Sequence, residues 1–596
     1  MALALEDYAM IGDCQTAALV GRDGSIDWLC LPRFDSGACF AALLGGEEHG
    51  TWRIAPAGWE GRSERAYRGP TLVLETEFVT PEGVVAVVDF MPPRSGAADL
   101  VRIVEGRKGR VEMEMTLRIR FDYGSIVPWV RAIEGGAVAV GGPDTLRLVG
   151  SVPVEERDGA WVARFAVAEG ERVCFDLTWY RSHEAEPARI DPMGVLSSTV
   201  EYWKRWAGHS TYRGPWSEAV TRSLVTLKGL TYEPTGGIVA APTTSLPEHL
   251  GGQRNWDYRY CWLRDATFTL YALAGAGYLD EARAWREWLL RAVAGRPSQV
   301  SIMYGVAGER RLPELELGWL PGYEESRPVR IGNGAYQQLQ IDVFGEVLDA
   351  MHRCWRMGLE PAEDAWRVER AMVEYLETHW ESPDEGIWEV RGPRRHFTHS
   401  KMMAWVALDR AVKGIECFGL EGPLERWREV RARIHRDVCE KGYAASRGAF
   451  TQSYGSELLD ASLLMMPLVG FLPAEDVRVR GTIEAIEREL TRDGFVSRYR
   501  TVPEVDGLPE GEGAFLLCTF WLADALVLLG RREDARRVFE GVLAVRNDVG
   551  LLSESFDVER RRLVGNYPQA FSHIGLINTA CNLAEGVGPA ESRCRE

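Results

Sequence analysis

The stretch NWDYRYCWLRDATFTLYALAGAGY, residues 255–278, decides the fold and points to the site. Its first eleven residues are dense in aromatic and charged side chains, among them Trp256, Asp257, Tyr258, Tyr260, Trp262, Arg264 and Asp265. The pattern then changes. Phe268, Leu270, Tyr271, Leu273 and Ala274 recur at helical spacing, so a helix is predicted to begin near Arg264. An aromatic, charged loop that runs straight into a buried helix suits the floor of a sugar pocket. Aromatic faces pack on the C–H face of a pyranose, while Arg and Asp fix hydroxyls by charge-assisted hydrogen bonds. The plainer reading of the same residues is core aromatics and a local Arg264–Asp265 ion pair at a helix start.

Working outward, the chain divides by periodicity. Residues 1–190 read as β. Arg22-Asp23-Gly24 is a hairpin signal between apolar stretches. VEMEMTLRIRF at 111–121 alternates without a break, and 161–180 reads as two strands around Glu169-Gly170. Frequent turns between such strands imply an antiparallel sandwich. Residues 191–215 form a linker with a short helix. From Trp216 the period becomes 3.6. Twelve helical segments are predicted, near 216–232, 263–277, 279–296, 334–358, 361–380, 398–418, 424–440, 457–468, 474–491, 512–530, 533–546 and 568–586. The long loops 233–262, 297–333, 381–397 and 492–511 would surround one mouth, and loops of this length in a compact domain are usually functional.

Composition narrows the partners. The chain has 596 residues, more than one core holds, so two domains are expected. A net charge of −18 without a basic cluster excludes nucleic acid and leaves a neutral substrate unpenalised. The 21 Trp residues suit either a large core or a carbohydrate site. Eleven scattered Cys residues without CxxC or Cys/His spacing argue for thiols in a reducing compartment and against a metal site. The N-terminal MALALEDYAMIGD lacks a basic region and an apolar core, and no run of about 18 apolar residues occurs, so a cytoplasmic protein without a membrane span is expected.

NWDYRYCWLRDATF resembles the first signature of glycoside hydrolase family 15, the glucoamylases and related trehalases. GIWEVRG (386–392), SRY (497–499), LLSESFD (551–557) and GNYPQAFSH (565–573) resemble its later signatures, in order. IGDCQTAALVGRDGSIDWLCLPRFDS near the N-terminus resembles the leading domain of a bacterial, trehalase-like branch. The resemblance implies an (α/α)6 barrel of six inner and six outer helices over residues 216–596, behind the sandwich of residues 1–190.

Cleaving an acetal needs an acid to protonate the leaving oxygen, and an inverting enzyme also needs a carboxylate base to activate water on the opposite face. The resemblance places the acid at Glu389, after Trp388, and the base at Glu554. Apolar neighbours Trp388 and Val390 would raise the Glu389 pKa by desolvation, while Ser553 and Ser555 would hold Glu554 ionised. Read without the resemblance, Glu389 could end a short strand and pair with Arg391, and Glu554 could belong to a capping cluster. Arg264 and Asp265 match the pair that binds the non-reducing glucose, Tyr258 and Trp262 its aromatic partners, and Arg498 a further hydroxyl-binding Arg. The family's fungal members carry a second acidic residue where this chain has Val390, which bears on longer chains. Glu314, Glu316 and Trp319 make one long loop acidic and aromatic without matching a motif.

The expected activity is inverting, exo-acting hydrolysis of trehalose or a maltooligosaccharide. A glycoside phosphorylase would need a phosphate cradle in place of the Glu554 carboxylate. A non-catalytic sugar-binding protein would need neither Glu. No cofactor is required by the sequence. Trehalases of this type can depend on phosphate or Mg²⁺, and no motif locates either.

Overall fold

The computed structural model describes residues 2–359, 363–584 and 590. The N-terminal part is antiparallel β throughout. Its organising element is one long strand, Ala98–Arg118. The first half of this strand pairs with Gly83–Phe90 and Arg172–Arg181, and the second half with Thr51–Pro56 and Ala160–Ala168. One strand therefore serves both layers of the sandwich. The alternation read in the sequence is what the second half shows: Val111, Met113, Met115 and Leu117 are buried between more exposed neighbours. A four-stranded meander over residues 8–40 adds a third sheet. The helix Pro192–Ala207 follows, capped by Asp191 and packed through Leu196 on Val73, Val88, Phe90, Val101 and Ile103.

The remainder is a closed double ring. The inner helices are Ala266–Gly275, Asp342–Arg356, Thr398–Phe418, a short turn plus helix over Ala461–Leu468, Leu516–Leu528 and Ala570–Leu583. Each touches the next, and the last returns to the first. The outer helices are Ser217–Gly229, Leu279–Val293, Glu363–His379, Leu424–Lys441, Val477–Glu489 and Arg532–Leu543. The sequence explains which is which. Most outer helices bury one stripe, as Arg532–Leu543 does with Ala535, Phe539 and Val542; Ser217–Gly229 is buried from Arg222 to its end. Inner helices are enclosed on all sides, so Leu516–Leu528 (LLCTFWLADALVL) is apolar nearly all round.

Two predicted segments differ. The helix expected from 334 begins at Asp342, and Tyr336 and Leu339 lie outside it. Tertiary partners take the backbone there: Gly334 N donates to Glu314 (2.9 Å) and Leu339 N to Glu385 (2.9 Å). The segment 457–468 is helical only from Ala461, where Asp460 caps the Ser462 amide.

Sandwich and ring share one apolar core. Trp28 Nε1 donates to the Pro242 carbonyl (2.7 Å), and the Tyr567 hydroxyl to the Tyr8 carbonyl (2.7 Å). The fully buried Arg65 side chain holds Asp548 at 2.7 Å. Trp319 donates to the Tyr123 carbonyl (3.0 Å) and Gly322 N to the Leu44 carbonyl (3.0 Å), so the sandwich braces the loop 297–333.

Candidate active site

The four long loops converge on one pocket. Tyr258, Arg264, Trp388, Glu389 and Arg498 line it. Trp262, Asp265 and Glu554 are buried immediately behind that lining.

The opening stretch holds both candidate carboxylates. Tyr258 Oη donates to Glu554 Oε1 at 2.6 Å. Four residues on, Trp262 Nε1 donates to Glu389 Oε1 at 2.7 Å. Arg264 Nη1 donates to the same oxygen at 3.0 Å and to the Ile387 carbonyl at 2.8 Å. The two rings stand edge to face, 5.2 Å apart. One short segment thus orients two side chains that are far apart in sequence from it and from each other.

Glu389 closes the tight turn 386–389, its amide donating to the Gly386 carbonyl (3.1 Å), and its own φ is 60°. A non-glycine residue in the left-handed region costs about 1–3 kcal/mol and persists only where the surroundings impose it. Gln338 Nε2 supplies part of that, donating to the carbonyls of Glu389 (3.2 Å) and Val390 (3.1 Å). The apolar setting expected for Glu389 is not what surrounds its carboxylate. The Trp388 indole turns away to Asp460 (2.9 Å), and Arg264 occupies the carboxylate instead. Nor does Arg391 pair with Glu389; it pairs with Glu314 at 2.9 Å.

Glu554 also departs from expectation. The Ser553 hydroxyl is spent on the Ser555 carbonyl. The carboxylate accepts from Tyr258 and from the Asn566 amide (3.2 Å), and Gly565 lies against it with φ 77°, where a side chain would collide with Oε2. Full burial pushes its pKa up to about 8, with the carboxylate of Glu248 adding to the rise.

Arg498, more than two hundred residues from Arg264, reaches the same pocket. Its guanidinium is shared by Glu248 and by Glu512 (2.5 Å) and lies 5.6 Å from the Trp388 ring centre. Asp265 sits 3.5 Å from Arg264; burial raises its pKa to about 6, with Arg264 opposing. Sequence reading missed Glu248 and Glu512, since LPEHL (246–250) and PEGEG (509–513) carry no recognisable motif. It also assigned no role to Arg254, Asn333 or Asp506, which share the lining. Among the described residues no group of three or more His, Cys, Asp or Glu is placed to hold a metal ion, and no helix is long and apolar enough to cross a membrane.

Residues 214–581 match the family described as glycosyl hydrolases family 15, and residues 1–155 the trehalase-like N-terminal domain. The protein is a glycoside hydrolase. It belongs to family 15, and its fold is the one that family shares. A trehalase of Mycobacterium tuberculosis is 39% identical, the alignment covering 99% of this chain and 91% of that one. A trehalase of Thermoplasma volcanium is 35% identical over 98% and 94%. Among solved structures, a bacterial glucoamylase complexed with acarbose superposes with a TM-score of 0.73 at 11% identity, covering 98% of this chain and 94% of that one.

Proposed function

We propose that the protein is a trehalase that hydrolyses α,α-trehalose by single displacement with inversion. Glu389 is the acid and Glu554 the base. The observation that carries this reading is the shared mount: Tyr258 and Trp262, on one segment, each fix one carboxyl group at one pocket. The length over which the trehalases align, nearly all of both chains, favours trehalose over a maltooligosaccharide.

In the proposed reaction Arg264, Asp265 and Arg498 hold hydroxyls of the glucose that is attacked. Trp262 and Arg264 both donate to Glu389 Oε1, which leaves Oε2 to carry the acid proton to the bridging oxygen. Glu554 takes a proton from the attacking water as the C–O bond breaks. One glucose departs as the α anomer and the attacked one is released as β. No cofactor enters. The two carboxyl groups are expected roughly 6.5–9.5 Å apart, room for that water.

The test is NMR of the first turnovers on trehalose in phosphate-free buffer. Equal α- and β-glucose is expected; two α-glucose molecules would indicate retention, and glucose 1-phosphate in place of one glucose when phosphate is added would indicate a phosphorylase. Glu389→Gln and Glu554→Gln should each lower kcat by about 10²–10⁴-fold while trehalose still binds. A fully active Glu554→Gln enzyme would remove Glu554 from the mechanism, and glucose released from maltose or starch but not trehalose would move the substrate to α-glucans.

A further inference from the structure

Beyond the residues that hold the attacked glucose, the pocket has a second wall. Its centre is Trp256, half-buried and lining the pocket. Two guanidiniums lie over its ring, Arg330 at 4.6 Å and Arg391 at 4.7 Å from the ring centre. Only Arg391 shares the lining; Arg330 is buried and donates to the Gln253 carbonyl (2.8 Å), so it backs the indole. Glu314 joins them, 2.9 Å from Arg391 and 3.7 Å from Arg330, and ties the loop 297–333 to the loop 381–397.

This wall is wired to both carboxylate loops. The Trp256 carbonyl accepts from Asn566 Nδ2 (2.9 Å), and the Asn566 amide donates to Glu554 (3.2 Å). Arg391 lies two residues beyond Glu389, and its amide donates to the Asp506 carbonyl (2.9 Å). Arg254, on the same lining, faces Asp506 at 3.6 Å. Trp256 and Arg391 stand side by side on the lining, so a pyranose there would meet the exposed part of an indole for its C–H bonds and a stacked guanidinium for its hydroxyls. In the proposed reaction the end of the pocket at Arg264 and Glu389 takes the attacked sugar.

We infer that Trp256, clasped by Arg330, Arg391 and Glu314, is the specificity-determining wall against which the leaving glucose packs. The inference rests on the proposed function for the identity of that leaving sugar. A leaving group with no sugar ring would not use the wall, so two substrates separate the roles. Trp256→Ala should lower kcat/KM for trehalose roughly 30- to 100-fold, the order that loss of an aromatic anchor brings. Its kcat/KM for α-glucosyl fluoride, which shares the attacked glucose, should fall only about threefold. Trp256→Phe should recover part of the trehalose activity, and Arg391→Gln should show the same substrate bias more weakly. Fluoride hydrolysis also reports that each variant is folded. Equal losses on both substrates, total loss included, would overturn the inference. If the wild-type enzyme ignores trehalose and cleaves maltose, the proposed function fails, yet the maltose-to-fluoride ratio in Trp256→Ala still decides whether this is the leaving-sugar wall.

Discussion

Glu554 is a carboxyl group whose setting works against its own ionisation. Burial holds its proton up to about pH 8, against an ordinary value of 4.5, while the Tyr258 hydroxyl bond and nearby Arg498 pull the other way. A base must be ionised to act, so kcat/KM should fall as pH drops through about 8, well above the usual carboxylate range. Tyr258→Phe removes one bond that favours the ionised form and should move this acid limb further up. A limb at pH 4–5 would contradict the assignment. The same shift bears on stability with the opposite sense. Folded Glu554 keeps its proton above the unfolded value, so its contribution to stability is complete below about 4.5 and is lost as pH rises through about 8. The pH that suits the chemistry is thus the pH at which this residue least favours the fold.

At the scale of elements, the loop that carries Tyr258 is held by a buried ion pair. Arg259 donates to both oxygens of Asp257, at 2.8 and 2.6 Å, and to the Ser36 carbonyl of the sandwich at 2.9 Å. Asp257 in turn accepts from Gly332 N (2.9 Å). Arg259→Met would leave Asp257 as an unpaired buried charge, at a cost of about 3–5 kcal/mol. Calorimetry should show a clearly lower unfolding transition; an unchanged one would mean that the pair does not brace the loop. What the sequence makes legible follows from the reach of its signals. A stripe such as Ala535, Phe539 and Val542, or the alternation from Val111 to Leu117, records burial on one side and can be read locally. The motifs around Arg264, Glu389 and Arg498 marked residues that line one pocket, and the motif around Glu554 marked one that is buried behind Tyr258 of that lining. The partners of those residues were hidden, because Glu248 and Glu512 reach Arg498, and Glu314 reaches Arg391, only once the chain is folded. Residues 334–341 misled for the same reason: their helical spacing lost to hydrogen bonds that the Gly334 and Leu339 amides donate to Glu314 and Glu385.

On the scale of the whole molecule, the sandwich is bound into the ring beside the catalytic loops. Trp28 caps the Pro242 carbonyl, Ser36 meets Arg259, and Tyr123 meets Trp319. A fragment comprising residues 191–596, the proposed linker and ring without the sandwich, should retain helical circular dichroism and release no glucose from trehalose. An active fragment would reduce the sandwich to a passenger. The ring itself closes late along the chain. Its last helix, Ala570–Leu583, packs against Ser217–Gly229 and Ala266–Gly275, and Ala570 N donates to the Ala240 carbonyl (2.8 Å). Glu554 lies just before that helix, while its partner Tyr258 lies at the ring's beginning. A polypeptide leaving the ribosome therefore carries Tyr258 for 296 residues before its partner Glu554, the proposed base, is made. If Glu554 is the base, as proposed, catalysis switches on only when nearly all of the chain has emerged, and a product terminated before residue 554 should cut no trehalose.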